Sequence, residues 1–315
     1  MKANVTRRSA QVILPVLLLI CCAGLAQAKL LPAQRLVSPP FSVSRTTTQN
    51  STTPVDKEIV VFGTKIHYVE AGSGPVVILL HGLGGSTQNW ALNIPVLAQK
   101  FRVIVPDQIG FGKSDKPFIN YRVGTYVDYL DQFCKQLKID RASLVGNSMG
   151  GWVAAAYTIA FPGRVERLVL VDAAGYAPPA NFDYRILYGL NPSTREGMKQ
   201  IAARVFYNKI FLSDAFIDQA MALRITAGDG YTINSLIESI TRGEDFVDNG
   251  VKSIKQPTLV VWGRQDGLTP LSDGERFKKE IPNSTLLVID QCGHVPQFEK
   301  ASEFNAAVSK FLQAQ

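Results

Sequence analysis

A glycine-flanked serine sits between a short apolar run and a helix-forming run, and no other stretch restricts the fold as much. The residues are Gly146-Asn147-Ser148-Met149-Gly150-Gly151. Ahead of them, Ala142-Ser143-Leu144-Val145 has the length and apolar character of a buried strand. Behind them, Trp152-Val153-Ala154-Ala155-Ala156-Tyr157 suits a helix. The glycines let the backbone turn tightly enough to push the serine hydroxyl clear of a sheet. The helix that follows aims free N–H groups and the positive end of its dipole at the reacting atoms. A glycine-rich turn with a bystander serine would share the motif; the strand before it and the helix after it argue for a nucleophile.

Such a serine needs an acid and then a histidine downstream. The chain has 3 histidines, His67, His81 and His294. His67 lies in an early strand, Lys65-Ile66-His67-Tyr68-Val69, and reads as a half-exposed strand residue. His81 follows the buried run Val76-Val77-Ile78-Leu79-Leu80 and stands upstream of the serine. His294 follows the strand Thr285-Leu286-Leu287-Val288-Ile289, on the loop Gln291-Cys292-Gly293-His294, and by elimination it is the base. Two acids fit the order. Asp266 lies on a loop after Leu259-Val260-Val261-Trp262-Gly263, and Asp172 ends Leu168-Val169-Leu170-Val171. Both stand at carboxyl ends of strands, where open α/β sheets bind ligands. Asp172 also reads as a strand-end residue that bonds the following turn.

At this point the chain resembles the α/β-hydrolase superfamily, from about Val55 to its end. The matching pieces stand in family order. They are His81-Gly82-Leu83-Gly84, Pro106-Asp107-Gln108-Ile109-Gly110-Phe111-Gly112, the serine elbow, Val171-Asp172, Gly263-Arg264-Gln265-Asp266 and Gly293-His294. The resemblance implies an α/β-hydrolase fold: a mostly parallel central sheet flanked by helices, with an inserted helical cap. It further implies that Ser148, Asp266 and His294 form a catalytic triad, with an oxyanion hole from the backbone N–H groups of Leu83 and Met149. No metal or organic cofactor is expected.

The strands and helices alternate as right-handed βαβ units require, then the alternation breaks at residues 177–250. That span is dense in helical patterning and aromatic residues, including Phe206, Tyr207 and Phe211, and is read as the cap. Residues 55–176 and 251–315 form the core. Residues 29–54, rich in Ser, Thr, Pro and Gln, read as a flexible linker. Residues 1–28 read as a signal peptide, with Lys2, Arg7 and Arg8 before an apolar run and Ala26-Gln27-Ala28 as the cleavage site. Export to the periplasm or outside the cell, with Lys29 as the new N-terminus, is therefore expected. Loss of that segment lowers the formal charge from +7 to +4, with basic residues scattered, which argues against nucleic-acid binding. Of 4 cysteines, Cys134 and Cys292 stay in the mature chain, and a bridge between them is an open alternative.

For the substrate, two branches of the superfamily look similar. Secreted lipases and esterases share the Gly-Asn-Ser-Met-Gly-Gly, Val-Asp-Ala-Ala-Gly and Gly-His-Val-Pro stretches. The meta-cleavage-product hydrolases, which break C–C bonds, match around the elbow, around Cys292-Gly293-His294 and in the closing Glu303-Phe304 helix. Arg224 reads as a solvated helix charge, although it could match a substrate-carboxylate arginine of the second branch. Val295 lacks the aromatic that branch usually carries there. Export and the apolar cap favour the first branch, so the expected activity is ester cleavage on a small ester or lipid, with transient contact to a lipid surface. C–C hydrolysis is the alternative, and a non-catalytic binding protein the remote one.

Overall fold

The structure is a computed structural model that describes residues 52–314; the expected signal peptide and nearly all of the linker lie outside the described residues. In chain order its elements begin with β1 (Val55–Val61), β2 (Thr64–Ala71), β3 (Val76–Leu80), α1 (Ile94–Leu97) and β4 (Arg102–Pro106). Then come α2 (Val123–Gln136), β5 (Ala142–Asn147), α3 (Met149–Ala160) and β6 (Val165–Val171). Helices α4 (Arg195–Val205), α5 (Asp214–Ala227) and α6 (Gly230–Thr241) follow before the sheet resumes. The chain closes with β7 (Thr258–Gly263), α7 (Leu271–Glu280), β8 (Ser284–Ile289), α8 (Pro296–Glu299) and α9 (Ala301–Gln313).

The eight strands form one sheet in the order β1-β2-β4-β3-β5-β6-β7-β8. The β1–β2 and β2–β4 pairs are antiparallel, and every other pair is parallel. Parallel strands covered on both faces must be apolar throughout. All six residues of β5 and all six of β7 are buried accordingly. Alternate side chains serve opposite layers, as the two-residue repeat of a strand dictates. Leu144, Leu168 and Leu170 join the layer with α2, α3 and α6. Val145, Val169 and Val171 join the layer with α1 and α9. Each such buried aliphatic side chain contributes about 1.5–3 kcal/mol. The outer strand β1 keeps most of its residues exposed, and Lys57 and Glu58 on it discourage edge pairing.

Between β6 and β7 the chain divides its packing. Helices α4 and α5 enclose a small core of their own around Met198, Ala202 and Ile217. Helix α6 instead sends Ile233, Leu236 and Ile237 into the main core.

Two local expectations change. His67 is not half-exposed: it is buried between Asp107 (2.8 Å from Nδ1) and Asp56 (2.6 Å from Nε2). Its strand lies between β1 and β4, so tertiary neighbours cover a residue that local patterning leaves half open. Cys134 and Cys292 are both free and lie in the two separate core layers, which excludes a bridge.

Candidate active site

The parallel strands β5, β6 and β7 end together, and their loops carry the chemistry. Ser148 closes β5 with φ 56° and ψ −121°, a backbone geometry far from helix or strand. Its own backbone is fully engaged: the N–H donates to Val171 O (2.9 Å), while its O accepts from Gly151, Trp152 and Ala174. The strain of a positive φ, of order 1–3 kcal/mol, is therefore held in place by β6 and α3. Glycine is required on both sides of the turn. A β-carbon at Gly146 would come 2.1 Å from Gly150 O, and one at Gly150 would come 2.2 Å from Leu80 O. The serine side chain makes no capping bond to its helix.

His294 enters from the loop after β8. Its Nδ1 lies 2.7 Å from Asp266 Oδ2 and 3.3 Å from Thr269 Oγ1. A carboxylate there fixes the tautomer: Nδ1–H donates to Asp266, and Nε2 is left able to accept a proton. Asp266 is itself heavily supported, with Oδ1 accepting from Leu268 N (2.7 Å) and Thr269 N (3.2 Å), and Oδ2 from Thr269 Oγ1 (2.6 Å). Burial pushes its carboxyl upward, but the charge and hydrogen bond of His294, with Thr269 and Leu268, outweigh that and hold it below the ordinary aspartate value.

The other acid, Asp172, stands close by without bonding the histidine. One ligand atom each from Asp172, Asp266 and His294 lies within 4.8 Å of the others. Asp172 Oδ1 accepts from Gly263 N at 2.8 Å, which ties the end of β6 to the end of β7. It is thus the strand-end residue that the sequence allowed, and Asp266 is the carboxylate on the imidazole. A cation could meet these three atoms only by competing with the Asp266–His294 hydrogen bond.

Leu83 lies in the loop after β3. A β-carbon on neighbouring Gly82 would sit 3.0 Å from Ser148 Cβ, so this loop runs against the elbow. Met149 opens α3, and its N–H is among the first-turn donors that a helix leaves unpaired. His81 braces the loop from below: Nδ1–H donates to Gly82 O (2.8 Å) and Nε2 accepts from Gln108 N (3.0 Å). Burial pushes the His81 pKa down, against Asp107 and Gly82, so the ring is neutral and can both donate and accept.

Three contributors escaped sequence reasoning. Asn147 donates from Nδ2 to Val171 O (3.1 Å) and His294 O (3.0 Å), joining the elbow to the histidine loop. Thr269 supports the Asp266 carboxylate. Glu299 accepts from Gly293 N (2.7 Å), Tyr207 N (3.2 Å) and Asn208 N (2.9 Å). With His294 N donating to Val205 O (2.7 Å), it fastens the chain after α4 to the histidine loop. Local sequence holds no signal for the bonds of Asn147 or for those of Glu299 to Tyr207 and Asn208, although Asn147 and Glu299 flank motifs that could have drawn notice.

Arg224, for which the sequence favoured a solvated charge over a carboxylate partner, is not a solvated charge. Its side chain is 12% exposed and pairs with the buried Asp229. A β-carbon on Gly84 would lie 3.3 Å from Arg224 Nη1, which places the guanidinium over the loop that carries Leu83. The helical pattern of α5 predicts solvent on that side; the fold places Asp229 and the β3 loop there.

Residues 75–301 match the family model for the alpha/beta hydrolase fold. The chain is an α/β hydrolase. It is 32% identical over 266 residues to the 2-hydroxymuconate semialdehyde hydrolase of a Pseudomonas species, covering 82% of this chain and 94% of that one. It is 31% identical over 282 residues to the 2-hydroxy-6-oxo-2,4-heptadienoate hydrolase of Pseudomonas putida, covering 84% and 99%. Among solved structures, the meta-cleavage product hydrolase of Pseudomonas fluorescens superposes with a TM-score of 0.74 at 31% identity, covering 81% of this chain and 97% of that one. These similarities overturn the expectation of ester cleavage, because these relatives at 31–32% identity, matched over more than nine-tenths of their own length, are named as hydrolases of semialdehyde, dienoate and meta-cleavage substrates. The expectation had rested on export and on cap composition, and neither bears on which bond the site cleaves.

Proposed function

We propose that this hydrolase cleaves a C–C bond beside a ketone in an acidic dienoate of the 2-hydroxy-6-oxo type. The observation that carries the reading is Arg224, a largely buried arginine above the β3 loop that a neutral ester would leave without a substrate partner. An arginine in such a place suits a planar carboxylate, which it can hold by two parallel N–H bonds. Its Nη2 is committed to Asp229, and its Nη1 faces the loop. The similarity to hydrolases of muconate and heptadienoate substrates supports the same choice.

In this reading, Arg224 anchors the carboxylate end and lays the chain of the substrate across the elbow. Ser148 Oγ attacks the 6-oxo carbon as His294 Nε2 takes its proton, and Asp266 steadies the resulting imidazolium. The oxyanion lies between the N–H groups of Leu83 and Met149; one such donor is worth about 2.7–4 kcal/mol of barrier. The cleavage requires a tetrahedral C5, so the 2-hydroxy group first yields its proton to C5 by enol-to-keto tautomerisation. As the tetrahedral adduct collapses, the C5–C6 bond breaks, its electron pair passes through C3=C4 to the 2-oxo oxygen, and the imidazolium returns a proton to that oxygen. Water, activated by His294, then hydrolyses the acyl-enzyme. Export through residues 1–28 belongs to the same proposal, and N-terminal sequencing at Lys29 tests that part.

The test compares kcat/KM for 2-hydroxy-6-oxohepta-2,4-dienoate with that for p-nitrophenyl butyrate, with Ser148→Ala as the control. Preference for the dienoate, lost in Ser148→Ala, is expected. Turnover of the ester with no measurable consumption of any dienoate would reject the reading.

A further inference from the structure

Three carboxyl groups crowd around His294, and their hydrogen-bond support is unequal. Asp266 accepts four bonds, from His294 Nδ1, Thr269 Oγ1, Leu268 N and Thr269 N. Glu299 accepts three backbone N–H bonds. Asp172 has one donor, Gly263 N on Oδ1. Its Oδ2 is fully buried and has no hydrogen-bond partner, although an Asp172 ligand atom lies within 4.8 Å of atoms of Asp266 and His294. A buried carboxylate oxygen with no donor is unfavourable, whereas a carboxylic acid O–H beside another carboxylate is satisfied.

We propose that Asp172 is held as a neutral carboxylic acid whose Oδ2–H faces Asp266, making it a positioning residue that keeps His294 usable as a base. Burial and then the neighbouring Asp266 charge push the Asp172 carboxyl well above the usual aspartate range, with Glu299 adding to the effect. The buried thiol of Cys292, raised by burial and by Asp172, supplies no compensating charge. Were Asp172 ionised, a second negative charge beside His294 would favour imidazolium, which cannot accept the serine proton. The proton on Asp172 removes that charge while its Oδ1 still ties β6 to β7.

The role rests on the proposed triad; the protonation state does not, and one measurement reads each. Carbon NMR of the protein labelled at its aspartate carboxyls should show a neutral carboxyl at neutral pH that disappears in Asp172→Asn. In the same variant, the acid limb of the kcat/KM profile should stay within about half a pH unit of wild type, because no charge has been removed. If Asp172 were instead ionised, the limb would move toward acid by about two to three units, the size expected of a unit charge 4.8 Å away in a protein interior. That displacement, or the absence of a neutral aspartate resonance, overturns the proposal. If the Asn variant does not fold, titration of the wild-type resonances decides. One aspartate that stays neutral well above neutral pH upholds the assignment, and complete ionisation by neutral pH overturns it.

Discussion

Removing the Arg224–Asp229 pair as a unit should separate acidic from neutral substrates. Arg224→Ala by itself is a poor probe, because it strands a buried carboxylate at a cost of about 3–5 kcal/mol in stability. The double variant Arg224→Met, Asp229→Asn avoids that, since the remaining groups are neutral and of similar size. Asp229 is 1% exposed and Arg224 12%, so the pair is largely desolvated and its loss will not be masked by solvent. A hydrogen bond to a charged partner contributes about 1.5–3 kcal/mol. At about 1.4 kcal/mol per tenfold, that becomes a loss of about 10- to 150-fold in kcat/KM for the dienoate. The matching methyl ester carries no charge for Arg224 to hold, and it should change less than about threefold. Steady-state kinetics on the two substrates, with circular dichroism to confirm the fold, decides the matter. Equal losses on both, or no loss on the acid, would refute the carboxylate role of Arg224.

Asp266→Asn should lower kcat by about 10³–10⁴-fold with the fold intact, because the amide stabilises the wrong imidazole tautomer; single-turnover rates would measure it, and near-normal rates would refute it. Glu299→Ala removes the acceptor of three backbone N–H groups, one of them on the residue before His294. It should lower kcat more than it raises KM, whereas unchanged kcat would show that this bridge does not position the histidine. The third prediction concerns the His67 bridge. Burial pulls the His67 pKa down, but Asp107 and Asp56 outweigh it and leave it above 6.5. A raised value in the folded state gives stability that is complete below about 6.5 and lost as pH rises through the folded value. Burial raises Asp107, yet His67 and its other donors hold it below 3.8, so its contribution is lost as pH falls through that depressed value. Urea midpoints should therefore fall on the alkaline side in wild type, and His67→Ala should flatten that fall; a parallel alkaline fall in the variant would sink the assignment.

The serine elbow, the histidine and the alternation of strands and helices were legible in the sequence because local rules govern each of them. A strand-to-helix reversal needs glycine at Gly146 and Gly150, and β5 and β7 must be apolar on both faces. These demands are met by neighbouring residues, so they can be read along the chain. The choice of Asp266 over Asp172 was not local. Both end strands in the right order, and only the folded loop brings Asp266 to the Nδ1 of His294 while Asp172 turns its Oδ1 to Gly263. The same holds for Asn147, Glu299 and His67, which bond partners 147, 92 and 40 residues away. Arg224 is the sharpest case. On its own helix it occupies a position that solvent could claim, and it is Asp229 and the β3 loop that leave its side chain only 12% exposed. Periodicity records which face of an element is apolar, but the environment of a charge is set by elements distant in sequence.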